Sequence, residues 1–302
     1  MQMMKNTNIN WYHRDTCPAC SGKKWNRLLH VNFINLFKCA SCGMRFLNPC
    51  LDEFSTAAIY QTSDTLKEIN PFLEHYYEES AEDVSNSITG RDFKAVLDWL
   101  SKKCSGNYLL DVASGNGTFL AFAKNNGWLS EGIDPSLKNA EMIKEKFDIP
   151  VNVTGFLEFD RFAPKYDAIT FWDFIEHPPK PSLYVQKAKN HLKEDGVLVL
   201  ATPNVNNLLN HTAELIYKVS RGAVSFPAQK MYTIEHASYF NFKTIKCFLN
   251  ENGFKIVHHF KTESNLSRYH LSFTLKTALK GFFFLNRLLN LQNRLIIFAV
   301  RN

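Results

Sequence analysis

The sequence predicts a doubly wound α/β fold with a mainly parallel sheet, preceded by a small metal-stapled ribbon. Three observations carry this reading. From residue 108 onward, short apolar runs alternate with segments of helical periodicity, the pattern of a sheet covered by helices on both faces. The first of these runs passes directly into a turn holding Gly115 and Gly117 and then into a helix. Near the N-terminal end, Cys17-Pro-Ala-Cys20 and Cys39-Ala-Ser-Cys42 form two C-x-x-C pairs with eighteen residues between them.

Those pairs come first in chain order. Each pair turns two thiolates toward one point, and four thiolates satisfy a tetrahedral Zn²⁺ ion. The spacing falls within that of zinc ribbons. One pair alone would also fit a redox site; two pairs in register point to metal held by Cys17, Cys20, Cys39 and Cys42. Residues 1–50 carry too few apolar side chains (Leu28, Leu29, Val31, Phe33, Ile34, Phe37) to fold reliably without the ion. Cys50, Cys104 and Cys247 are scattered, which favours reduced, buried thiols in a cytoplasmic protein over a disulfide framework. The polar start, Met1 to Tyr12, lacks a secretory segment, and no run of about 18 apolar residues predicts a transmembrane helix. A net charge of +6 permits an anionic partner without requiring one.

Residues 51–90 read as a helical linker, and 91–302 as the main domain. Phe93, Val96, Leu97 and Leu100 recur at helical spacing before the first strand, 108–113. A helix over 118–126, a strand over 129–133 and a helix over 137–147 follow, the last entered through Pro135 and Ser136. Strands are expected at 151–153, 166–172, 196–201, 254–258 and 295–300. Helices are expected at 181–192 and 244–252, with Gly253 ending the second.

The turn after the first strand exposes helix N-terminal amides to a ligand. Asp134 closes the next strand, where a carboxylate accepts both hydroxyls of a ribose. A dinucleotide site would want a third glycine where Leu120 stands, whereas a phosphate-free cofactor does not need it. The motif Leu109-Leu110-Asp111-Val112-Ala113-Ser114-Gly115-Asn116-Gly117-Thr118-Phe119-Leu120 with Gly132-Ile133-Asp134-Pro135-Ser136 resembles motifs I and II of class I S-adenosylmethionine-dependent methyltransferases. The segments 166–177 and 192–204 are similar to the fourth and fifth strand motifs of that family. Glu235-His236-Ala237-Ser238-Tyr239-Phe240 resembles a segment of a bacterial subgroup with an N-terminal zinc ribbon, common in sugar and natural-product pathways. The resemblance implies a Rossmann-like sheet of seven strands. It implies S-adenosylmethionine contacts from Asp111, Ser114, Gly115, Gly117, Phe119, Asp134, Pro135, Phe156 and Trp172. Phe156 and Trp172 would sandwich adenine or simply pack in the core. Ala113 departs from the family by standing where the first glycine is usual. Alanine costs little there if its φ stays negative, and the expected consequence is weaker rather than lost binding.

Ligands of open α/β sheets sit beyond the carboxyl ends of the strands, where the fourth strand delivers Asp173, Glu176 and His177. His177 is the first candidate base and His236 the second, with substrate positioning as the other role of His236. Insertions at 204–241 and 261–293 begin at strand carboxyl ends and so overhang this face as substrate lids. The second is apolar and basic, with Lys276, Lys280, Arg287 and Arg294. It suits a membrane surface or lipid-linked substrate, but a helix packed on the sheet with a solvated basic face is the favoured expectation. The expected reaction is methyl transfer to O, C or N of a small molecule, a sugar, sugar nucleotide or related metabolite. An RNA methyltransferase would need stronger basic clusters in the ribbon than Lys23, Lys24, Arg27, Lys38 and Arg45 supply. A non-catalytic binding module is the third alternative.

Overall fold

The computed structural model describes residues 9–31, 34–59, 84, 87–160, 165–266 and 272–302. Much of the expected linker, 60–83 and 85–86, lies outside these residues. Five short strands come first: β1 (Trp11–Tyr12), β2 (Trp25–Val31), β3 (Ile34–Cys39), β4 (Arg45–Leu47) and β5 (Cys50–Leu51). The helices α1 (Glu53–Ile59) and α2 (Ile88–Lys103) follow. Ser87 caps α2 by accepting from the Gly90 amide, and Phe93, Val96, Leu97 and Leu100 form its buried face, as their spacing predicts.

The main sheet then assembles from β6 (Tyr108–Val112), β7 (Leu129–Ile133), β8 (Val151–Asn152), β9 (Tyr166–Trp172), β10 (Leu192–Pro203), β12 (Phe254–Thr262) and β13 (Arg294–Arg301). Its order is β12-β13-β10-β9-β6-β7-β8. The five strands from β10 to β8 pair in parallel, and β13 runs antiparallel to both β10 and β12. Between them run α3 (Thr118–Asn125), α4 (Leu137–Phe147), α5 (Pro181–His191) and α8 (Phe242–Glu251). Strands β6 and β9 and the run 196–202 of β10 are almost wholly buried, the expected state of parallel strands covered on two faces. Successive strands leave β6 in opposite directions, β7 to one side and β9 to the other, so the switch point lies between β6 and β9. Strand β12 runs four residues beyond the expected His258, so Lys261 and Thr262 belong to the sheet and not to the second insertion. The reason is pairing: residues 258–262 continue the ladder with β13 as far as Thr262 and Arg294.

The first insertion holds α6 (Leu208–Val219), α7 (Phe226–Met231) and β11 (Ser238–Tyr239); the second holds α9 (Phe273–Leu288). Strand β11 does not join the main sheet. It pairs antiparallel with β4 and completes a four-stranded sheet of order β11-β4-β3-β2. The ribbon is fixed to the main domain at further points. Arg45 forms a 3.0 Å ion pair with Glu214 of α6, Arg14 donates to the Pro179 carbonyl, and Cys17, Cys39 and Cys42 share one apolar cluster with Ile175, Phe240 and Phe248.

Candidate active site and metal centre

The carboxyl ends of β6, β7 and β9 open on a cavity of about 650 Å³, within the range of small-ligand pockets. Strand β6 delivers Asp111, which is buried and accepts a 2.6 Å hydrogen bond from the Thr170 hydroxyl of β9. Burial pushes the Asp111 carboxyl up to about 8. A cationic ligand group beside it would offset that desolvation and restore the carboxylate.

The turn that follows owes its shape to three left-handed residues. Ala113 has φ 58°, Gly115 φ 54° and Gly117 φ 72°. Glycine suits the last two. Gly117 also packs too closely for any side chain, since a Cβ there would lie 2.5 Å from Ile143 Cγ1. Ala113 does not keep the negative φ expected of it. Its Cβ meets the left-handed penalty of about 1–2 kcal/mol, because the chain must leave β6 sharply to bring Ser114 and Gly115 under β7. Ser114 donates its amide to the Ile133 carbonyl at 3.1 Å.

Asp134, at the end of β7, accepts from the Gly115 amide at 2.8 Å, the Ser136 amide at 2.9 Å and Asn139 Nδ2 at 3.2 Å. Burial raises its pKa while these donors act in the opposite direction. The Gly115 bond ties the glycine turn to the acidic strand end. Ser114, Phe119, Pro135, Phe156 and Trp172 all line the same cavity, so every residue implied as a cofactor contact except Gly117 faces it. Gly117 shapes the turn behind them as the N-cap of α3. Phe156 belongs to the core as well, packing edge-on to Phe171. Trp172 stands edge-on to Phe93 at 4.7 Å and tilted to Phe119 at 4.9 Å. The Ser114 hydroxyl and the Trp172 indole nitrogen are buried without a hydrogen-bond partner among the described residues. The cavity thus offers two acids, an unsatisfied hydroxyl, an unsatisfied indole N–H and an aromatic wall, a set that fits S-adenosylmethionine.

On the β9 side, the cavity is lined by the loop after β9 and the segment before β11. His177 and His236 lie with ring centroids 4.8 Å apart. His177 Nδ1 stands 2.8 Å from the Glu235 carbonyl oxygen; against an acceptor Nδ1 carries the proton, which leaves Nε2 as the basic nitrogen. Burial lowers the pKa of both rings, that of His236 to about 3 with His177 adding to the effect. Glu176 is buried beside them and accepts from Thr202 at 2.8 Å. Burial, reinforced by Asp173, pushes its carboxyl up to about 8. Glu176, His177 and His236 bring one potential ligand atom each to within 4.8 Å of the others. Arg294 is not on the basic helix expected of the second insertion. It opens β13, whose pairing with β10 carries it to the cavity, and there it forms a 2.9 Å ion pair with Asp173.

The sequence reading missed Thr170, Asn139 and Thr202, and it placed Phe93 and Arg294 on helices without a part in the site. Thr170 and Arg294 gain their roles from partners 59 and 121 positions away, which no local pattern encodes. Asn139 had a usable signal, one helical turn after Asp134-Pro135-Ser136.

The second centre lies in the ribbon. Cys17 and Cys42 have Sγ atoms 3.6 Å apart, as do Cys20 and Cys39, and all four fall within 4.8 Å of one another. Four thiolates at the Zn–S bond length form a tetrahedron with edges of about 3.8 Å, so the four cysteines fit a zinc ion. The Met44 amide donates to Cys42 Sγ at 3.4 Å, a contact that favours thiolate. Cys50 stands outside the group, directed at the Tyr12 carbonyl.

The chain belongs to the methyltransferase-domain family, which it matches over residues 60–259. A ubiquinone biosynthesis O-methyltransferase of Actinobacillus pleuropneumoniae is 30% identical over 121 residues, 36% of this chain and 52% of the relative. The chain thus spans about half the length of the ubiquinone methyltransferases it matches. An uncharacterized protein of Methanocaldococcus jannaschii is 24% identical over 225 residues, covering 70% of this chain and 86% of the relative. Among solved structures, magnesium protoporphyrin IX methyltransferase of Synechocystis with bound S-adenosylhomocysteine superposes with a TM-score of 0.54 at 14% identity, over 83% of this chain and all of the other. The 1,6-didemethyltoxoflavin N1-methyltransferase of Burkholderia thailandensis superposes with a TM-score of 0.53 at 13% identity, over 91% and 98%. These two likenesses establish the fold, the class I methyltransferase α/β sheet.

Proposed function

We propose that the protein transfers a methyl group from S-adenosylmethionine to a small-molecule acceptor, a sugar or related metabolite. The observation that carries this is one cavity with a cofactor half and an acceptor half. Asp111, Asp134 and the glycine turn line it together with His177 and His236. Membership of the methyltransferase-domain family supports the reaction type.

The bound cofactor supplies an electrophilic methyl on a sulfonium. The protein's part is alignment and proton management, since an in-line displacement gains most from holding the reacting atoms in register. Asp111 receives the cofactor ammonium and becomes ionised in doing so. Asp134 receives ribose hydroxyls, and Phe119 with Trp172 covers the apolar surface. At the other end His177 Nε2 accepts the proton of an acceptor hydroxyl, with the Glu235 carbonyl holding the ring in the required tautomer. His236, whose lowered pKa makes it a weak base, positions the acceptor. Asp173, Glu176 and Glu263 also line this end, and a group of carboxyls suits an acceptor rich in hydroxyl donors.

The remaining parts of the proposal concern organisation. Residues 1–50 form a structural zinc ribbon and 51–90 connect it to the transfer domain, 91–302. The insertions 204–241 and 263–293 cover the acceptor side. The fit of the four sulfurs to a tetrahedron supports zinc, and unpaired thiols of this number suit the reducing setting of the cytoplasm.

Titration calorimetry of the zinc-loaded protein with S-adenosylmethionine tests the core of this reading. Asp111→Asn is expected to weaken binding about 10- to 100-fold, the value of a hydrogen bond to a charged group. Absence of binding by the unmodified protein sinks the proposal.

A further inference from the structure

The helix α9 does not bury the residues expected to pack on the sheet. Only Phe283 and Asn286 of its sixteen residues are buried, with Asn286 Oδ1 accepting from the Leu208 amide of α6 at 3.1 Å. Phe273 is 85% exposed, Leu288 66% and Phe284 62%, and Leu285 and Leu289 are also exposed. At about 100° per residue, these side chains fan across one broad sector. Lys276, Lys280 and Arg287 fall within about 40° of each other along its edge. The neighbouring insertion adds to the same character. Leu215 and Val219, one turn apart on α6, and Phe226 at the start of α7 are exposed, next to exposed Lys218, Arg221 and Lys230.

Charge identifies the partner. Residues 204–241 and 263–293 hold three and four Lys or Arg residues against three Glu in all. None of the three Glu reaches the outer face: Glu235 and Glu263 are buried, and Glu214 is paired with Arg45. What remains outside on α9 is a mainly apolar surface, broken by Thr274 and Thr277 and rimmed by cations, the signature of a helix lying in a membrane interface. Among the described residues no helix is long and apolar enough to cross a membrane, so the contact is peripheral.

We propose that α6, α7 and α9 form a docking surface for an anionic phospholipid bilayer. The apolar sector of α9 enters the headgroup boundary, and the cations at its edge meet lipid phosphates. Ser264 and Asn265, which lead from β12 toward α9, line the cavity, so docking brings the acceptor end close to the lipid surface. The proposal stands apart from the transfer chemistry because vesicle binding is read without turnover.

Co-sedimentation of the zinc-loaded full chain with phosphatidylcholine vesicles and with mixed phosphatidylcholine–phosphatidylglycerol vesicles is the test. Retention is expected on the anionic vesicles alone and should fall as salt rises. K280E/R287E should lower the partition at least about 25-fold, about fivefold for each cation. F284D/L288D should abolish it. All four side chains are exposed, so unchanged thermal melting is expected of both variants. No retention on anionic vesicles, or equal retention by wild type and both variants, overturns the proposal. So does a wild-type dimer in sedimentation velocity that F284D/L288D dissolves without any lipid binding, since a second copy would then cover the face.

Discussion

Asp111 sits in the folded protein with a carboxyl pKa of about 8, driven there by burial, against about 3.9 in an unfolded chain. Between these values the unfolded chain releases a proton that the folded chain retains, so the contribution of Asp111 to stability falls as pH rises. Asparagine at this position has no such titration. The stability of Asp111→Asn relative to wild type should therefore improve steadily from pH 4 to 8 and level off above it, by up to about 1.4 kcal/mol per pH unit. Urea denaturation of the ligand-free proteins across this range measures the difference, and a difference independent of pH would contradict the raised pKa. Ala113 supports a second expectation at this scale. Glycine removes the left-handed penalty of about 1–2 kcal/mol but adds unfolded-state freedom costing about 0.5–1 kcal/mol. Ala113→Gly should stabilise the protein by about 0.5–1 kcal/mol, read as a higher urea midpoint at unchanged slope. Asp111, Gly115, Gly117 and Asp134 were legible in the sequence because strand, turn and helix follow one another locally. The φ of Ala113 was not, because it depends on where β7 lies.

The loop that carries His236 is held by two different elements. The Ser238 amide donates to the Glu176 carbonyl at 3.0 Å, and the Leu47 amide of β4 to the Ala237 carbonyl at 3.1 Å. The strand β11 continues this contact into the ribbon sheet. The N-terminal sheet thus orders the segment that brings His236 to the cavity, while the glycine turn is held by β7 and α4. Chelating the metal, or replacing Cys39, should speed hydrogen exchange at residues 235–240 and impair acceptor use. Amides 114–118 and S-adenosylmethionine affinity should stay close to those of the loaded protein. Loss of cofactor binding with the main sheet intact would show that the two halves are not separately supported. The helix α9 shows where pattern reading stops at this scale. Its sequence announced an apolar, basic helix, but periodicity does not say whether an apolar sector faces protein or solvent.

Across the whole molecule, the long buried strands and the order of helices between them were readable, since each occupies a contiguous run of residues. The two-residue strands β5 and β11 were not, because so short a segment owes its conformation to its partner. β11 binds the molecule together over an unusual span: Phe46 pairs with Ser238, 192 positions later. Non-local pairing of this kind is slow to form because chain entropy is lost before any contact compensates it. A chain leaving the ribosome exposes all four cysteines early, yet the edge of β4 waits until nearly the whole α/β domain has emerged. Delivery of the four cysteines and completion of the sheet are consequently separate events in the life of the chain. A fragment ending near residue 50 would carry all four cysteines while presenting β4 as an open strand edge, a template for self-association.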